Sequence, residues 1–206
     1  MFIYLKFFCQ FMSTAVIILT LNEIKGIKAI LPKIDKSWAE EIVVIDGGST
    51  DGTIEEAKKM GFKVIMQQHK GVNAGGHGAA ILEGVNATTS DNIIIFGPDG
   101  NHEPEEIPRL IKKMDNGIDQ VLISRFGIGS VNLDAVGIKG KLIDYFGNKM
   151  FTFLVNVFFG GHWTDSLNES RIISRKAFNE LNYDAMGMSS TQQMSIRGLK
   201  RKQKIC

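Results

Sequence analysis

Short apolar runs alternate along the chain with segments in which apolar residues recur at helical spacing. The runs are rich in β-branched residues and predict strands buried on both faces; they cover 15–20, 41–45, 63–66, 92–96 and 120–124. The helical spacing covers 24–31, 54–60, 79–85 and 104–114. Strands that alternate with helices predict an α/β fold of three layers, with a mostly parallel central sheet and one continuous core.

The first eleven residues, 1–11, are apolar apart from Lys6 and Gln10. Read together with 15–21 they resemble a signal or anchor, but polar residues interrupt the run and a spanning helix needs about 20 mostly apolar residues. No small-residue cleavage site follows a proper apolar stretch. We therefore expect an N-terminal extension at 1–11 and a single domain over 12–206.

The composition narrows the class of protein. Of the 206 residues, 44% are hydrophobic and 22% are charged, which excludes intrinsic disorder. The net charge of +2 is too small to predict a nucleic-acid partner. Two cysteines, Cys9 and Cys206, exclude a disulfide scaffold and a cysteine zinc site and favour the cytoplasm.

Ligands of such sheets bind beyond the carboxyl ends of the strands, so the loops after the strands are candidate sites. Asp46 follows a strand and precedes two glycines. Its carboxylate suits hydrogen bonds to a base or ribose, and it equally suits capping the helix that starts near Thr53. The residues alone leave both interpretations open.

The glycine-rich loop 75–78 opens a helix and is able to cradle a phosphate through its backbone N–H groups. It lacks the Walker A lysine and the GxGxxG fingerprint of dinucleotide-binding proteins. The alternative is a flexible helix entry with an exposed His77.

Asp99 and Asn101 follow the strand 92–96. Their side-chain oxygens suit Mg²⁺ or Mn²⁺, hard cations that share their ligands with phosphates. A plain turn is the competing interpretation, since Pro-Asp-Gly is favourable in β-turns.

Together and in this order, the loops resemble family 2 glycosyltransferases of the GT-A fold, especially the polyprenyl-phosphate branch that includes dolichol-phosphate mannose synthases. The resemblance covers nearly everything from Ala15 to the end of the chain. The matching segments are 20–23, 44–53, 76–80 with 83–84, 98–101 with 104–105, 124–126, 147–148, Asp165, Asn168, Arg171 and 194–197.

The resemblance implies roles for individual residues. Asp99 is expected to be catalytic as the ligand of Mg²⁺ or Mn²⁺, with Asn101 as an auxiliary ligand. Arg125 is expected to be catalytic by binding the acceptor phosphate, with Lys139 and Lys141 beside it. The expected nucleotide-binding residues are Thr20, Asn22, Glu23, Asp46, Gly48, Gly76, His77 and Pro98.

The implied reaction moves a sugar, with inversion, from a UDP- or GDP-linked donor to a polyprenyl (dolichyl or undecaprenyl) phosphate. One alternative is a glycan or other lipid acceptor in cell-surface polysaccharide synthesis. Another is a non-catalytic sugar-nucleotide-binding or scaffold protein.

The chain departs from the family pattern at four places. The usual Asp-x-Asp metal motif reads Gly97-Pro98-Asp99, so one carboxylate is missing. The usual Asp-x-x-Ser/Asn-Gly-Phe-Arg reads Asp-Ser-Leu-Asn-Glu-Ser-Arg over 165–171. His77 stands where the Gly-x-Gly loop often has a basic residue. The chain ends at Cys206, where the family usually continues, so we expect a domain shortened at its C-terminus.

Residues 142–159 are apolar, but polar residues near the centre argue against a membrane span. The segment suits either a helix at a lipid interface or a core helix under the sheet. A basic cluster over 197–204 suits either anionic lipid or solvent. We expect a protein at the cytoplasmic face of a membrane, peripherally attached, with a homo-oligomer left open.

Overall fold

A computed structural model describes residues 12–68, 76–100, 102–114, 117–125, 138–187 and 189–206, with the backbone alone at 138–145. The predicted extension at 1–11 lies outside the described residues. Within the described part, no helix has the length and apolar character needed to cross a membrane.

Thirteen helices and strands make up the described part of the fold, together with two short 3₁₀ turns, Leu31–Lys33 and Lys36–Trp38. The strands are β1 Thr14–Thr20, β2 Glu41–Asp46, β3 Lys63–Met66, β4 Asn92–Phe96, β5 Gln120–Leu122 and β6 Arg171–Ser174. The helices are α1 Ile24–Ile30, α2 Thr53–Lys59, α3 His77–Asn86, α4 Glu106–Lys113, α5 Ile138–Phe159, α6 Arg175–Glu180 and α7 Ser190–Lys200.

The strands form one six-stranded sheet in the order β3-β2-β1-β4-β6-β5. The pairs β1–β2, β1–β4 and β2–β3 are parallel, and β6 runs antiparallel to both β4 and β5. The predicted mostly parallel sheet is confirmed. Strand β6 did not emerge from the sequence pattern, because it has four residues, begins with a charged arginine and passes directly into α6.

Alternate residues of the strands point to opposite faces, as the period of two requires. In β1, Val16 and Ile18 join a core cluster with residues of α1, α2 and α4, whereas Ile17 and Leu19 join a second cluster with residues of α3, α6 and α7. The sheet is therefore buried on both faces, which explains why its central strands read as unbroken apolar runs.

The strand directions bring several loops to one edge of the sheet. Strands β1, β2, β4 and β5 all end at this carboxyl edge, whereas β6 begins there because it runs the other way. The loop 165–170 before β6 therefore meets the loops that follow the other strands. Helix α5 packs beside this loop, where Ser166 N–H donates to Thr152 Oγ1 at 3.1 Å.

Candidate functional site

Asp46, at the end of β2, is completely buried. Its Oδ1 accepts the N–H groups of Gly48 (2.8 Å) and Ser49 (2.7 Å), and its Oδ2 accepts the hydroxyls of Ser49 (2.6 Å) and Thr20 (2.9 Å). These four donors fill the acceptor capacity of the carboxylate. The geometry favours a structural role for Asp46, which shapes the loop 47–49, over direct contact with a ligand.

Asn22 joins the loop after β1 to the loop after β2. Its N–H donates to Ser49 Oγ (2.8 Å), and its Oδ1 accepts the N–H of Thr50 (2.9 Å). The residue has φ +56°, a left-handed conformation that asparagine tolerates better than most residues. The two loops thus form one surface, on which Gly48 has φ +102° and open space beside it.

Glu23 lies near two other carboxylates, those of Asp99 and Asp51. Partial burial of its carboxyl, and then the nearby carboxylates of Asp99 and Asp51, raise its pKa above the usual value. Helix α1 approaches the turn after β4 so closely that a β-carbon on Gly26 would lie 1.9 Å from the carbonyl oxygen of Pro98. A glycine at position 26 is therefore what allows α1 to lie against the turn that carries Asp99.

Asp99 is exposed, whereas Gly97 and Pro98 before it are buried. A single exposed carboxylate beside a second acidic side chain is a suitable oxygen donor for Mg²⁺ or Mn²⁺, which binds proteins through one or two carboxylates and completes its shell with phosphates and water. The described residues contain no group of three acidic or histidine side chains able to hold a metal by themselves. The predicted auxiliary ligand Asn101 lies outside the described residues.

His77 opens α3, and both of its ring nitrogens contact protein groups. Nε2 lies 2.6 Å from Glu169 Oε2, and Nδ1 lies 2.7 Å from Ser190 Oγ. The N–H of Gly76 donates to the carbonyl of Met186 at 3.0 Å. This geometry favours packing and orientation, rather than direct phosphate binding, for Gly76 and His77.

Arg125 follows β5 at the same edge and is partly exposed. Its Nε donates to Asp165 Oδ2 at 2.8 Å, and its Nη2 donates to Oδ1 at 3.1 Å. The Asp165 side chain is completely buried, so this two-point contact fixes the plane of the guanidinium. Arg125 is therefore a pre-oriented cation at the carboxyl edge of the sheet.

Arg171, the first residue of β6, is also completely buried. Burial lowers its pKa to about 10, a shift that the negative charges of Glu169 and Asp165 oppose. Its Nη2 donates to the carbonyl of Asn168 at 2.8 Å. The sequence analysis assigns no role to Arg171, Asp165 or Glu169. The signals there were that Asp165 and Arg171 match the family pattern and that Glu169 stands where that pattern has glycine.

Most of the predicted site residues do come together. The structure brings Thr20, Asn22, Glu23, Asp46, Gly48, Pro98 and Asp99 to one stretch of the carboxyl edge. Arg125 is at the same edge, after β5. The side chains of Lys139 and Lys141 lie outside the described residues.

The order of the sheet and the loops at its edge define an α/β protein of the GT-A glycosyltransferase fold. A solved structure of the glucosyl-3-phosphoglycerate synthase from Mycobacterium tuberculosis, in complex with Mn²⁺, UDP-glucose and phosphoglyceric acid, superposes with a TM-score of 0.68 at 23% identity and covers 92% of this chain and 66% of that one. The sequence profile of the family "Glycosyl transferase family 2" matches residues 15–181. The chain belongs to this family, as the resemblance predicted.

Two relatives show how much of the chain aligns with other proteins. The dolichol-phosphate mannosyltransferase of Pyrococcus furiosus is 31% identical over 118 residues, which are 56% of this chain and 34% of that protein. An uncharacterized protein of Methanocaldococcus jannaschii is 32% identical over 188 residues, which are 85% of this chain and 72% of that protein. The chain spans between 34% and 57% of the length of the first three curated relatives that it matches.

We expect Asp46→Asn to destabilise the fold by about 1–3 kcal/mol, because the amide nitrogen of asparagine would face a hydrogen-bond donor in a buried place. Chemical denaturation measures the change. The control is Asp184→Asn, which alters an exposed ion pair with Arg197 and should cost less than about 1 kcal/mol. If the two variants were equally stable, Asp46 would not have the structural role assigned to it here.

Proposed function

We propose that the chain is an inverting, metal-dependent glycosyltransferase that transfers a sugar from a nucleotide-diphosphate sugar to a polyprenyl phosphate. The observation that carries the proposal is the exposed Asp99, whose carboxylate lies near that of Glu23 at the carboxyl edge of the sheet. The loop at Gly48, which follows β2 at the same edge, leaves open space beside it. Membership of the family supports a glycosyl transfer.

The nucleotide of the donor is expected to lie along the surface formed by the loops after β1 and β2. Asn22, Thr20 and Asp46 hold this surface rigid through the hydrogen bonds described above. The diphosphate of the donor then reaches Asp99. The negative charges of Asp99 and Glu23 would repel this diphosphate unless a cation lay between it and the two carboxylates. This arrangement supports a divalent cation, and the Mycobacterium structure contains Mn²⁺ together with UDP-glucose.

The proposed glycosyl transfer requires stabilisation of negative charge rather than removal of a proton. An oxygen of the acceptor phosphate, largely a dianion at neutral pH, attacks the anomeric carbon, and the bond from that carbon to the diphosphate breaks with its electron pair. When bound, Mg²⁺ or Mn²⁺ neutralises the charge on the leaving diphosphate. Asp99 holds the cation in place, and no general base is needed because the attacking oxygen carries no proton.

Arg125 is the candidate contact for the acceptor phosphate. Asp165 orients its guanidinium, and the same loop packs against α5 through Ser166 and Thr152. An acceptor bound at Arg125 would therefore lie beside α5. The relative from Pyrococcus furiosus, named for dolichol phosphate, supports a lipid-linked acceptor.

Helix α5 offers a surface for the lipid. Its described residues expose an apolar stripe at helical spacing: Phe146, Met150, Phe153, Leu154, Val157 and Phe158. At the end of the helix, Lys200 Nζ lies 5.3 Å from the ring centroid of Phe159, and Arg201, Lys202 and Lys204 are exposed nearby in the chain. An exposed apolar stripe next to basic side chains suits the surface of an anionic bilayer. Of the two interpretations left open, the interfacial helix is the one that this exposure supports.

The first test is calorimetric titration of UDP and of GDP, each with and without Mn²⁺. We expect one nucleotide to bind only with Mn²⁺, and Asp99→Asn to weaken that binding at least about tenfold, since even outer-shell changes at metal sites cost this much. Asp184→Asn, at an exposed aspartate that pairs with Arg197, is the matched control. Nucleotide binding that needs no metal would contradict the metal-ligand role of Asp99. An unchanged nucleotide affinity of Asp99→Asn in the presence of Mn²⁺ would also contradict it.

Arg125→Lys is expected to raise the KM for polyprenyl phosphate about tenfold or more, because lysine cannot make the two-point contacts of a guanidinium. The lysine retains a positive charge opposite the buried Asp165. Kinetics with a short-chain polyprenyl phosphate measure the change, with the affinity for the donor expected to stay the same. Arg197→Lys, at a partly exposed arginine that pairs with Asp184 as Arg125 pairs with Asp165, is the control. An unchanged KM would mean that Arg125 does not contact the acceptor phosphate.

Replacing Phe153 and Phe158 together by serine is expected to weaken binding to phosphatidylglycerol vesicles at least about tenfold, because burying one phenyl ring contributes about 1.5–3 kcal/mol. Co-flotation with the vesicles measures it. The control is Met12→Ser, an exposed methionine outside the stripe. Equal flotation of all three proteins would exclude α5 as the membrane contact.

A further inference from the structure

We propose that Glu169 supplies the second carboxylate of the cation site, from the loop before β6. This inference rests on the proposed metal-dependent binding of the donor. It assigns a ligand to the place beside Gly97, where the sequence lacks the carboxylate that the usual motif carries.

The geometry beside Gly97 is the first argument. A β-carbon built on Gly97 would lie 3.2 Å from Glu169 Oε1 and 3.8 Å from Glu169 Cδ. Apart from the neighbours of Gly97 in the chain, no other described group lies within 4 Å of that point. The carboxylate of Glu169 therefore occupies the space beside residue 97 into which a side chain at that position would extend.

The second argument is that Glu169 is held in place. Its Oε2 lies 2.6 Å from His77 Nε2, and its Oε1 is the oxygen nearer to Gly97. The loop around it is fixed, because Asn168 Nδ2 donates to the carbonyl of Ile123 (2.9 Å) and Asn168 Oδ1 accepts the N–H of Ser170 (3.1 Å). A carboxylate fixed before the metal arrives loses little conformational entropy on binding it.

The third argument comes from the two departures in the sequence. Position 97 has glycine where the usual motif has aspartate, and position 169 has glutamate where the usual motif has glycine. The structure places these two positions against each other. One carboxylate is lost at position 97 and one is gained beside it, so an acidic group is kept next to residue 97, two residues before Asp99.

His77 then acts as a positioning residue. Carboxylates that bind metals are commonly hydrogen-bonded by a second group, which fixes their orientation. The contact of His77 Nε2 with Glu169 fills this role, and the contact of Nδ1 with Ser190 fixes the ring. The competing explanation is that Glu169 serves only the fold, by balancing the buried positive charge of Arg171.

The test measures the metal directly. Mn²⁺ is titrated into the full chain with saturating UDP or GDP, whichever binds, and free Mn²⁺ is followed by electron paramagnetic resonance. We expect Glu169→Gln and Glu169→Gly each to weaken Mn²⁺ binding at least about tenfold. The double variant Gly97→Asp/Glu169→Gly, which returns the carboxylate to position 97, should recover to within about threefold of the natural protein, a difference worth less than about 1 kcal/mol.

Thermal unfolding without ligand shows at which temperature all variants are folded, and the titrations are made there. Unchanged Mn²⁺ affinity in Glu169→Gln overturns the inference. A loss that Gly97→Asp does not recover also overturns it, and favours the role in balancing Arg171. If the natural protein binds both nucleotides without Mn²⁺, or binds neither, the proposed function fails and the inference fails with it.

Discussion

The antiparallel strand β6 lies between β4 and β5, and the arrangement of the site depends on this placement. A parallel strand in that position would send the loop 165–170 to the opposite edge of the sheet. Because β6 runs the other way, Asp165 and Glu169 arrive at the edge where β1, β2 and β4 end. The orientation of Arg125 and the contact at Gly97 both follow from this one reversal.

Charges of opposite sign are separated along this edge. The carboxylates of Glu23 and Asp99 lie near the ends of β1 and β4, and Arg125 lies beyond β5. A donor with a charged leaving group needs a cation on the first side, whereas an anionic acceptor needs a fixed positive charge on the second. The separation fits the proposed reaction, in which a sugar passes from a diphosphate leaving group to a phosphate oxygen without a proton transfer.

Buried polar groups stabilise this arrangement at three points. Asp46 shapes the first loop through four hydrogen bonds, Asp165 fixes Arg125, and Arg171 lies beneath the loop that carries Glu169. Each is completely or almost completely buried, so its partners are needed to offset desolvation. These residues shape the edge of the sheet through contacts with their neighbours, which is why the pattern of polar residues after the strands identified only some of them.

The sequence by itself determined the class of fold and the loops of the site. Apolar runs such as 15–20 and 92–96 predicted buried strands because a strand covered on both faces cannot alternate with polar residues. Asp99, Asn22 and the other loop residues were predicted because they follow those runs. Strand β6, the pairing of Arg125 with Asp165 and the contact of Glu169 with Gly97 join residues 40 to more than 70 positions apart. Only the tertiary structure decided them, because no local pattern records which distant side chain fills the space that a glycine leaves.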